Sequence, residues 1–245
     1  MAEVLSPVLI VGARSDIGRA LAHAYAAQGC DLILSARPPL DLDADVKDLK
    51  LRHGKEASAA AYDVAKDDPD VFFKALKVVP GTVIMVAGLL GDQDVAVADD
   101  QAASQILETN FSGPARFLLA AARVMSKPDS ALIGIASVAG DRGRGSNVVY
   151  GSAKAGFAAF LSGLRNRLQP TGVRVLTVKP GFVRTQMTAG MKLPPLLTAE
   201  PEAVAAAVLS AHRRGKDVIY TKRIWWPIMQ VIKAIPEPVF KRLKL

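Results

Sequence analysis

The chain predicts a single-domain α/β fold, a doubly wound parallel sheet of about seven strands with helices on both faces. Three observations carry that expectation. Short continuous apolar runs alternate with helical patterns. The first of these runs opens into a glycine-rich turn and then a helix. Finally, 245 residues, half of them apolar, are enough to bury one substantial core. No internal repeat, low-complexity run or Ser/Gly-rich linker divides the sequence.

Val8-Leu9-Ile10-Val11 is the first run, of the kind expected of a strand buried on both faces. It leads into Gly12-Ala13-Arg14-Ser15-Asp16-Ile17-Gly18, and a helical pattern through Ala20, Leu21, Ala24 and Tyr25 then ends at Gly29. Strand, turn and helix N-terminus in that order offer backbone N–H groups and a positive dipole end to a pyrophosphate. The usual dinucleotide fingerprint has three glycines, and here Asp16 stands at the middle position. Further strands are expected at Asp31 to Ser35, Ala57 to Tyr62, Thr82 to Val86, Ala131 to Ala136, Val173 to Val178 and Val218 to Tyr220. Helices fall between them, including Gln101 to Met125 and Val148 to Leu168, the second carrying Arg165 and Arg167 on a solvated edge. Right-handed crossovers place the ligand crevice at the carboxyl ends of the strands. Gly12, Gly88, Ser137 and Pro180 all follow predicted strands and gather at that edge.

The chemistry lies in Tyr150-Gly151-Ser152-Ala153-Lys154. On a helix the i,i+4 spacing sets phenol and ammonium on one face, a turn apart. A tyrosine with its ordinary pKa of roughly 10 transfers protons poorly near neutrality, and a neighbouring cation is expected to bring that value down. Ser137, upstream in Ile135-Ala136-Ser137-Val138-Ala139-Gly140, can hold a substrate oxygen, or simply cap a turn. The second predicted strand ends Leu34-Ser35-Ala36-Arg37 without an acid. An acid there would repel a ribose 2′-phosphate, whereas Arg37, with Arg14 as a second donor, favours NADP(H) over NAD(H).

Together these residues resemble the short-chain dehydrogenase/reductase family over nearly the whole chain. The resemblance implies a Rossmann NAD(P)-binding catalytic domain over 1–221, with a substrate lid at 182–199 and a tail at 222–245. It places cofactor contacts at Gly12, Arg14, Ser15, Asp16, Ile17 and Gly18, at Arg37, at Asp63 and Val64, and at Ala87 and Gly88. In the last of these motifs Val86 replaces the family's Asn. Pro180, Gly181, Val183 and Thr185 correspond to the segment beside the nicotinamide. Asn110, Ser137, Tyr150 and Lys154 correspond to the catalytic tetrad. In the reductive direction the resemblance gives proton donation to Tyr150, the carbonyl oxygen to Ser137, phenolate stabilisation and the nicotinamide ribose to Lys154, and a relay water to Asn110. Asn110 would alternatively only kink its helix. Ser15-Asp16-Ile17-Gly18, the run Ser137 to Arg144, Ser162 to Leu168 and the Trp-containing tail resemble a subgroup that includes decaprenylphosphoryl 2-keto-sugar reductases. That points to a prenyl-phosphate-linked keto sugar as substrate and to an FAD-dependent oxidase as partner enzyme. A different small carbonyl or 3-oxoacyl substrate is the alternative, and a non-catalytic nucleotide-sensing or scaffold protein the alternative of another class.

Substrate contacts are expected from Met187 and Met191 in an apolar lid with Leu193, Leu196 and Leu197, or else that loop packs on the body. Arg142 and Arg144 border the pocket and would take a substrate phosphate, or remain surface arginines. His23, His53 and His212 show no metal-ligand grouping, so no metal is expected. The net charge of +8 is spread along the chain without any nucleic-acid module, which argues against that partner class. One cysteine, Cys30, excludes an intrachain disulfide and is expected to be a small buried hydrophobe in a cytoplasmic protein.

From Lys222 to Leu245 six basic residues, Lys222, Arg223, Lys233, Lys241, Arg242 and Lys244, face one acid, Glu237. Trp225, Trp226, Ile228, Met229, Val231, Ile232 and Ile235 add an apolar surface. Too short to span a bilayer, the tail predicts peripheral contact with an anionic membrane. Packing on the body or on a second subunit of a homo-oligomer is the open alternative.

Overall fold

Residues on the first strand already show the layering. Val8 and Ile10 point into one core and Leu9 and Val11 into another, each at most 1 % exposed, as the two-residue period of a strand dictates. The structure, a computed structural model, describes residues 4–243. Strands β1 (Val8–Val11), β2 (Leu32–Ala36), β3 (Ala57–Ala61), β4 (Thr82–Met85), β5 (Ala131–Ile135), β6 (Arg174–Lys179) and β9 (Val218–Tyr220) form a parallel sheet. Its order is β3-β2-β1-β4-β5-β6-β9. A separate parallel pair joins β7 (Phe182–Val183) to β8 (Thr198–Ala199). Winding reverses between β1 and β4, so the crevice opens past their carboxyl ends, at Gly12 and Ala87.

Helices α1 (Asp16–Ala26), α2 (Asp43–His53) and α8 (Pro201–Arg213) cover one face, with Leu21, Tyr25, Leu49, Val204 and Val208 buried there. Helices α3 (Pro69–Ala75), α6 (Gly113–Val124) and α7 (Val148–Leu168) cover the other, around Phe72, Phe73, Phe117, Phe157 and Leu161. Helices α4 (Gln93–Ala98) and α5 (Asp100–Leu107) follow β4, and α9 (Trp225–Ala234) and α10 (Glu237–Phe240) follow β9. Cys30 is buried as expected, 3 % exposed. Among the described residues no helix is long and apolar enough to cross a membrane.

Three expectations need correction. The helix predicted from Gln101 to Met125 is two helices joined by a π-helical turn, Glu108–Ser112. Its cause is Asn110, whose Nδ2 donates to the carbonyl of Ile106 at 2.8 Å and so takes an acceptor that the backbone ladder would use. Arg165 does not lie on a solvated edge. It donates to the carbonyl of Val175 (2.8 Å), the hydroxyl of Thr177 (2.6 Å) and the carbonyl of Asp217 (2.8 Å), tying α7 to the β6 edge; Arg167 is exposed. The tail does not turn its whole apolar surface outward. Trp225 and Met229 are buried and Ile228 and Ile232 pack beside them, while Ile224, Trp226, Val231 and Val239 are exposed. Lys244 lies outside the described residues.

Candidate active site

Strand β5 ends at Ile135, and two residues later Ser137 opens a short 3-10 turn, Val138–Gly140, with Oγ accepting from the N–H of Ala139 at 3.1 Å. Helix α7 packs on that turn and brings the Tyr150 phenol to the Ser137 side chain, near enough for that hydroxyl to favour the phenolate. One turn further along, Lys154 is 4 % exposed and donates Nζ to the carbonyl of Ile135 at 3.0 Å. Asn110, fully buried, spans the loop after β4. Its Nδ2 donates to the carbonyl of Leu89 at 2.7 Å and its Oδ1 accepts from the Leu89 N–H at 3.2 Å. An added Cβ on Gly88 would lie 3.1 Å from Asn110 Oδ1 and 3.5 Å from Lys154 Nζ. The four predicted catalytic residues are therefore gathered at the carboxyl ends of β4 and β5.

Burial sets their protonation. Desolvation pushes the Tyr150 phenol up to about 12, with the hydrogen bond from Ser137 acting the other way. It also pushes the Lys154 ammonium down to about 8. The expected lowering of the phenol by Lys154 is not what this geometry gives. Nζ sits 5.8 Å from the Tyr150 ring centroid, committed to a backbone carbonyl, and removal from water outweighs it. Tyr150 thus keeps its proton at neutral pH.

A cavity of about 410 Å³ is lined by Gly12, Arg14, Ser15, Asp16, Ile17, Arg37, Asp63, Val64, Ala87, Gly88, Thr185 and Met187, among others. These residues fit a dinucleotide. Ser15 caps α1, its Oγ accepting from Gly18 N at 3.1 Å, so the free N–H groups of the first turn face the cleft. Gly12, at φ +94°, has room for no side chain, because a Cβ would fall 2.7 Å from the nitrogen of Ala87. Arg14 reaches across the mouth to the carbonyl of Pro39 at 3.0 Å. Asp63 accepts from the N–H of Ala65 at 3.0 Å. Asp16 turns towards the lid, with Oδ2 accepting from the N–H of Gln186 at 2.8 Å. A second groove, about 620 Å³, lies beyond that contact and takes Met191, Arg19 and His23, not the tetrad. Met187 thus borders the nucleotide cleft, and Met191 does not. Pro180 accepts from the N–H of Val138 at 2.9 Å, Gly181 lies under Trp225, and Val183 accepts from the Thr188 hydroxyl at 2.7 Å.

The two arginines after Ser137 part company. Arg142 is occupied by the tail: it donates to the carbonyl of Lys233 (3.1 Å) and to Glu237 (2.6 Å), and stacks 4.1 Å over the Phe240 ring. It is therefore not free for a substrate phosphate. Arg144 keeps a buried Nε with no hydrogen-bond partner among the described residues. Burial pushes its guanidinium below the ordinary value, and the Asp141 carboxylate opposes that.

Four contributors escaped the sequence reading. Gln93 accepts from the N–H of Tyr150 at 3.1 Å and donates to the carbonyl of Leu90 at 2.8 Å, fixing the start of α7 against the loop after β4. Asp141 pairs with Lys179 and accepts from the Tyr220 hydroxyl at 2.6 Å. Gln186 and Trp225 complete the set. Asp141 and Trp225 lie in segments that carry the subgroup resemblance; Gln93 and Gln186 had no sequence signal.

The chain matches the family described as short chain dehydrogenase over residues 6–194. It is 37 % identical over 245 residues to an uncharacterized oxidoreductase of Mycobacterium tuberculosis, covering 97 % of each chain. Among solved structures, a short-chain dehydrogenase from Sphingobium yanoikuyae in complex with NADPH superposes with a TM-score of 0.79 at 23 % identity. That match covers 94 % of this chain and 97 % of the other. A short chain dehydrogenase/reductase from Burkholderia phymatum in complex with NAD gives 0.80 at 20 % identity, covering 94 % of each. Fold and site define an enzyme of the Rossmann type. The chain belongs to the short-chain dehydrogenase/reductase family, and is an NAD(P)(H)-dependent oxidoreductase of carbonyl and alcohol groups.

Proposed function

We propose that this enzyme reduces a ketone to a secondary alcohol with NADP(H) in preference to NAD(H). The observation that supports this reading is the gathering of Ser137, Tyr150, Lys154 and Asn110 at the carboxyl ends of β4 and β5, beside a cleft that fits a dinucleotide. A phenol that keeps its proton is the acid that the reductive direction needs, and its phenolate is the base of the reverse direction. When bound, the reduced cofactor would supply a hydride to the carbonyl carbon. Ser137 would hold the carbonyl oxygen, Tyr150 would pass its phenolic proton to that oxygen, and the Lys154 charge would stabilise the phenolate left behind. Asn110, fixed on both sides of Leu89, would keep the loop after β4 in place and position a water that returns the proton. Arg14 and Arg37 at the cleft mouth, with no acid at the end of β2, support the phosphorylated cofactor.

The finer substrate proposal is a phosphate-linked keto sugar on a prenyl carrier, as the product of an FAD-dependent oxidase. Its support is the unpartnered Nε of Arg144 in the loop after Ser137 and a tail whose outer side carries Ile224, Trp226, Val231 and Val239 beside Arg223, Lys233, Lys241 and Arg242. Such a face suits an anionic membrane surface, where a lipid-linked head group would remain. Salt-sensitive co-sedimentation with anionic vesicles checks that contact, and its absence removes the membrane from the proposal.

The reaction itself is tested with Tyr150→Phe, which keeps the ring and deletes the acid. Cofactor affinity is expected to hold while single-turnover hydride transfer to a ketone falls by about two to four orders of magnitude. Near-normal transfer would overturn the mechanism.

A further inference from the structure

Asp16 stands where the usual dinucleotide fingerprint has a glycine, and its carboxylate does not cap the helix that it opens. Ser15 does that: its Oγ accepts from the N–H of Gly18 at 3.1 Å and donates to the carbonyl of Gly12 at 2.8 Å. A free carboxylate in the first turn of α1 would be drawn to the positive end of the helix and compete for N–H groups that a pyrophosphate needs. Here Oδ2 accepts instead from the N–H of Gln186, 170 residues further along the chain, at 2.8 Å.

The lid presents that N–H from a preformed turn. Thr185 and Thr188 close a capping box on the 3-10 turn Gln186–Thr188. Thr188 Oγ1 accepts from the N–H of Thr185 at 3.1 Å and donates to the carbonyl of Val183 at 2.7 Å. The N–H of Arg184 donates to the carbonyl of Ala199 at 2.9 Å, and its guanidinium pairs with Glu200. Beyond the turn the lid packs less closely: Met187, Met191 and Leu196 are exposed, and Gly190, at φ +84°, has open space around it. Asp16, Arg19, Thr185 and Gln186 line both the nucleotide cleft and the groove beside it. The Asp16–Gln186 bond is therefore the partition between the two spaces, and breaking it would open the cleft at the N-terminus of α1.

We infer that Asp16 is a positioning residue, which latches the lid onto the nucleotide-binding turn and so sets how fast the dinucleotide leaves. The assignment rests on the dinucleotide reading of the cleft. Its test compares the wild-type chain with Asp16→Asn, Asp16→Gly and Gln186→Pro. Asp16→Asn removes the charge but keeps an oxygen that can accept from Gln186, whereas Asp16→Gly removes both. Gln186→Pro deletes the donor and leaves Asp16 intact, and the extended Thr185 before it (φ −144°, ψ 169°) suits a proline. Three quantities are measured on each chain: the release rate of NADPH, or of NADH if the wild type prefers it; amide hydrogen exchange across residues 185–191 in the cofactor-free protein; and Tm. Asp16→Gly and Gln186→Pro are expected to release the dinucleotide about tenfold faster or more and to exchange those amides faster. Asp16→Asn is expected to stay close to the wild type on both counts. Either of the first two serves alone if the other does not fold. Release unchanged in a folded Asp16→Gly or Gln186→Pro, even with a lower Tm, would show that Asp16 serves only α1 and overturn the latch. Release as fast from Asp16→Asn as from Asp16→Gly would overturn it too, since the effect would then belong to the charge and not to the bond. If the wild-type chain binds neither dinucleotide, the reading of the cleft itself fails and the latch falls with it.

Discussion

Gly140 lies directly against the backbone of Lys154: a Cβ there would fall 2.6 Å from the carbonyl carbon of Lys154 and 2.6 Å from the nitrogen of Ala155. Gly151 answers from α7, where a Cβ would come 3.1 Å from the carbonyl oxygen of Ala139. The turn that carries Ser137 and the helix that carries Tyr150 and Lys154 thus touch backbone to backbone. This is how a serine on one element meets a tyrosine on another without slack.

Gly140→Ala should therefore separate the two. Backbone atoms cannot move aside as a flexible side chain can, and overpacking of this kind typically costs about 1–3 kcal/mol. The same shift misplaces Ser137 relative to Tyr150, and misplacement on the order of 1 Å can cost about a hundredfold in rate. Expected are a lower urea midpoint and a kcat reduced by about ten- to a hundredfold, with NADPH affinity retained because Gly140 does not line the cleft. A kcat equal to the wild type's would show that the contact has no part in positioning.

Arg37→Asp tests the cofactor. Arg37 is exposed at the mouth of the nucleotide cavity, just past β2. An acid in its place would face the 2′-phosphate of NADPH while leaving NADH an acceptor for its hydroxyl. The ratio of NADPH to NADH affinity, measured by titration, should fall by about tenfold or more. An unchanged ratio would remove Arg37 from the site.

The sheet and the tetrad were legible in the sequence for a physical reason. The five inner strands, buried on both faces for most of their length, read as apolar runs, and all seven expected strands appear in the main sheet with ends shifted by at most one residue. The catalytic residues were legible because their types and spacings serve one reaction. Asn110 was placed, but its π turn was not, because a helical pattern does not record which acceptor a side chain takes. Trp225 was read as part of an interfacial surface because burial in lipid and burial in protein select the same residue types. Gln93 left no trace, since its meaning lies wholly in which loop and which helix it joins. The charge on Tyr150 was read from its neighbour, whereas burial decides it.

His212 makes the fold acid-sensitive. It is 4 % exposed on α8, with Nδ1 3.0 Å from the Tyr25 hydroxyl on α1 and Nε2 without a hydrogen-bond partner among the described residues. Burial, with Arg174 adding to it, pushes its pKa down to about 4 from 6.5. Between those values the unfolded chain takes up a proton that the folded one refuses. The stabilisation is thus complete above pH 6.5 and lost as pH falls towards 4. At pH 5 this group alone should cost about 2 kcal/mol relative to pH 7. Urea midpoints at both pH values, compared with His212→Gln, check it: the variant should show the smaller loss, and equal losses would assign the acid sensitivity elsewhere.

Lys154 has the opposite effect on the balance of stability and activity. Its folded pKa is pushed down to about 8 from 10.5 by burial. Below pH 8 both folded and unfolded chains carry the proton, and holding that charge out of water costs the fold on the order of 3 kcal/mol. As pH rises from 8 to 10.5 the folded chain releases its proton first, and the cost disappears. Lys154→Met keeps the volume and removes the charge, while leaving the Ile135 carbonyl without the donor that now reaches it at 3.0 Å; that loss gives back about 1 kcal/mol. The variant should therefore be more stable than the wild type at pH 7, by about 2 kcal/mol, and lose that advantage by pH 10. It should also be close to inactive, since the phenolate formed at Tyr150 would have no cation beside it. Urea midpoints of both chains at pH 7 and pH 10, with turnover measured alongside, decide the matter. A variant less stable than the wild type at pH 7, or a difference that does not shrink with rising pH, would show that the buried ammonium carries no such cost.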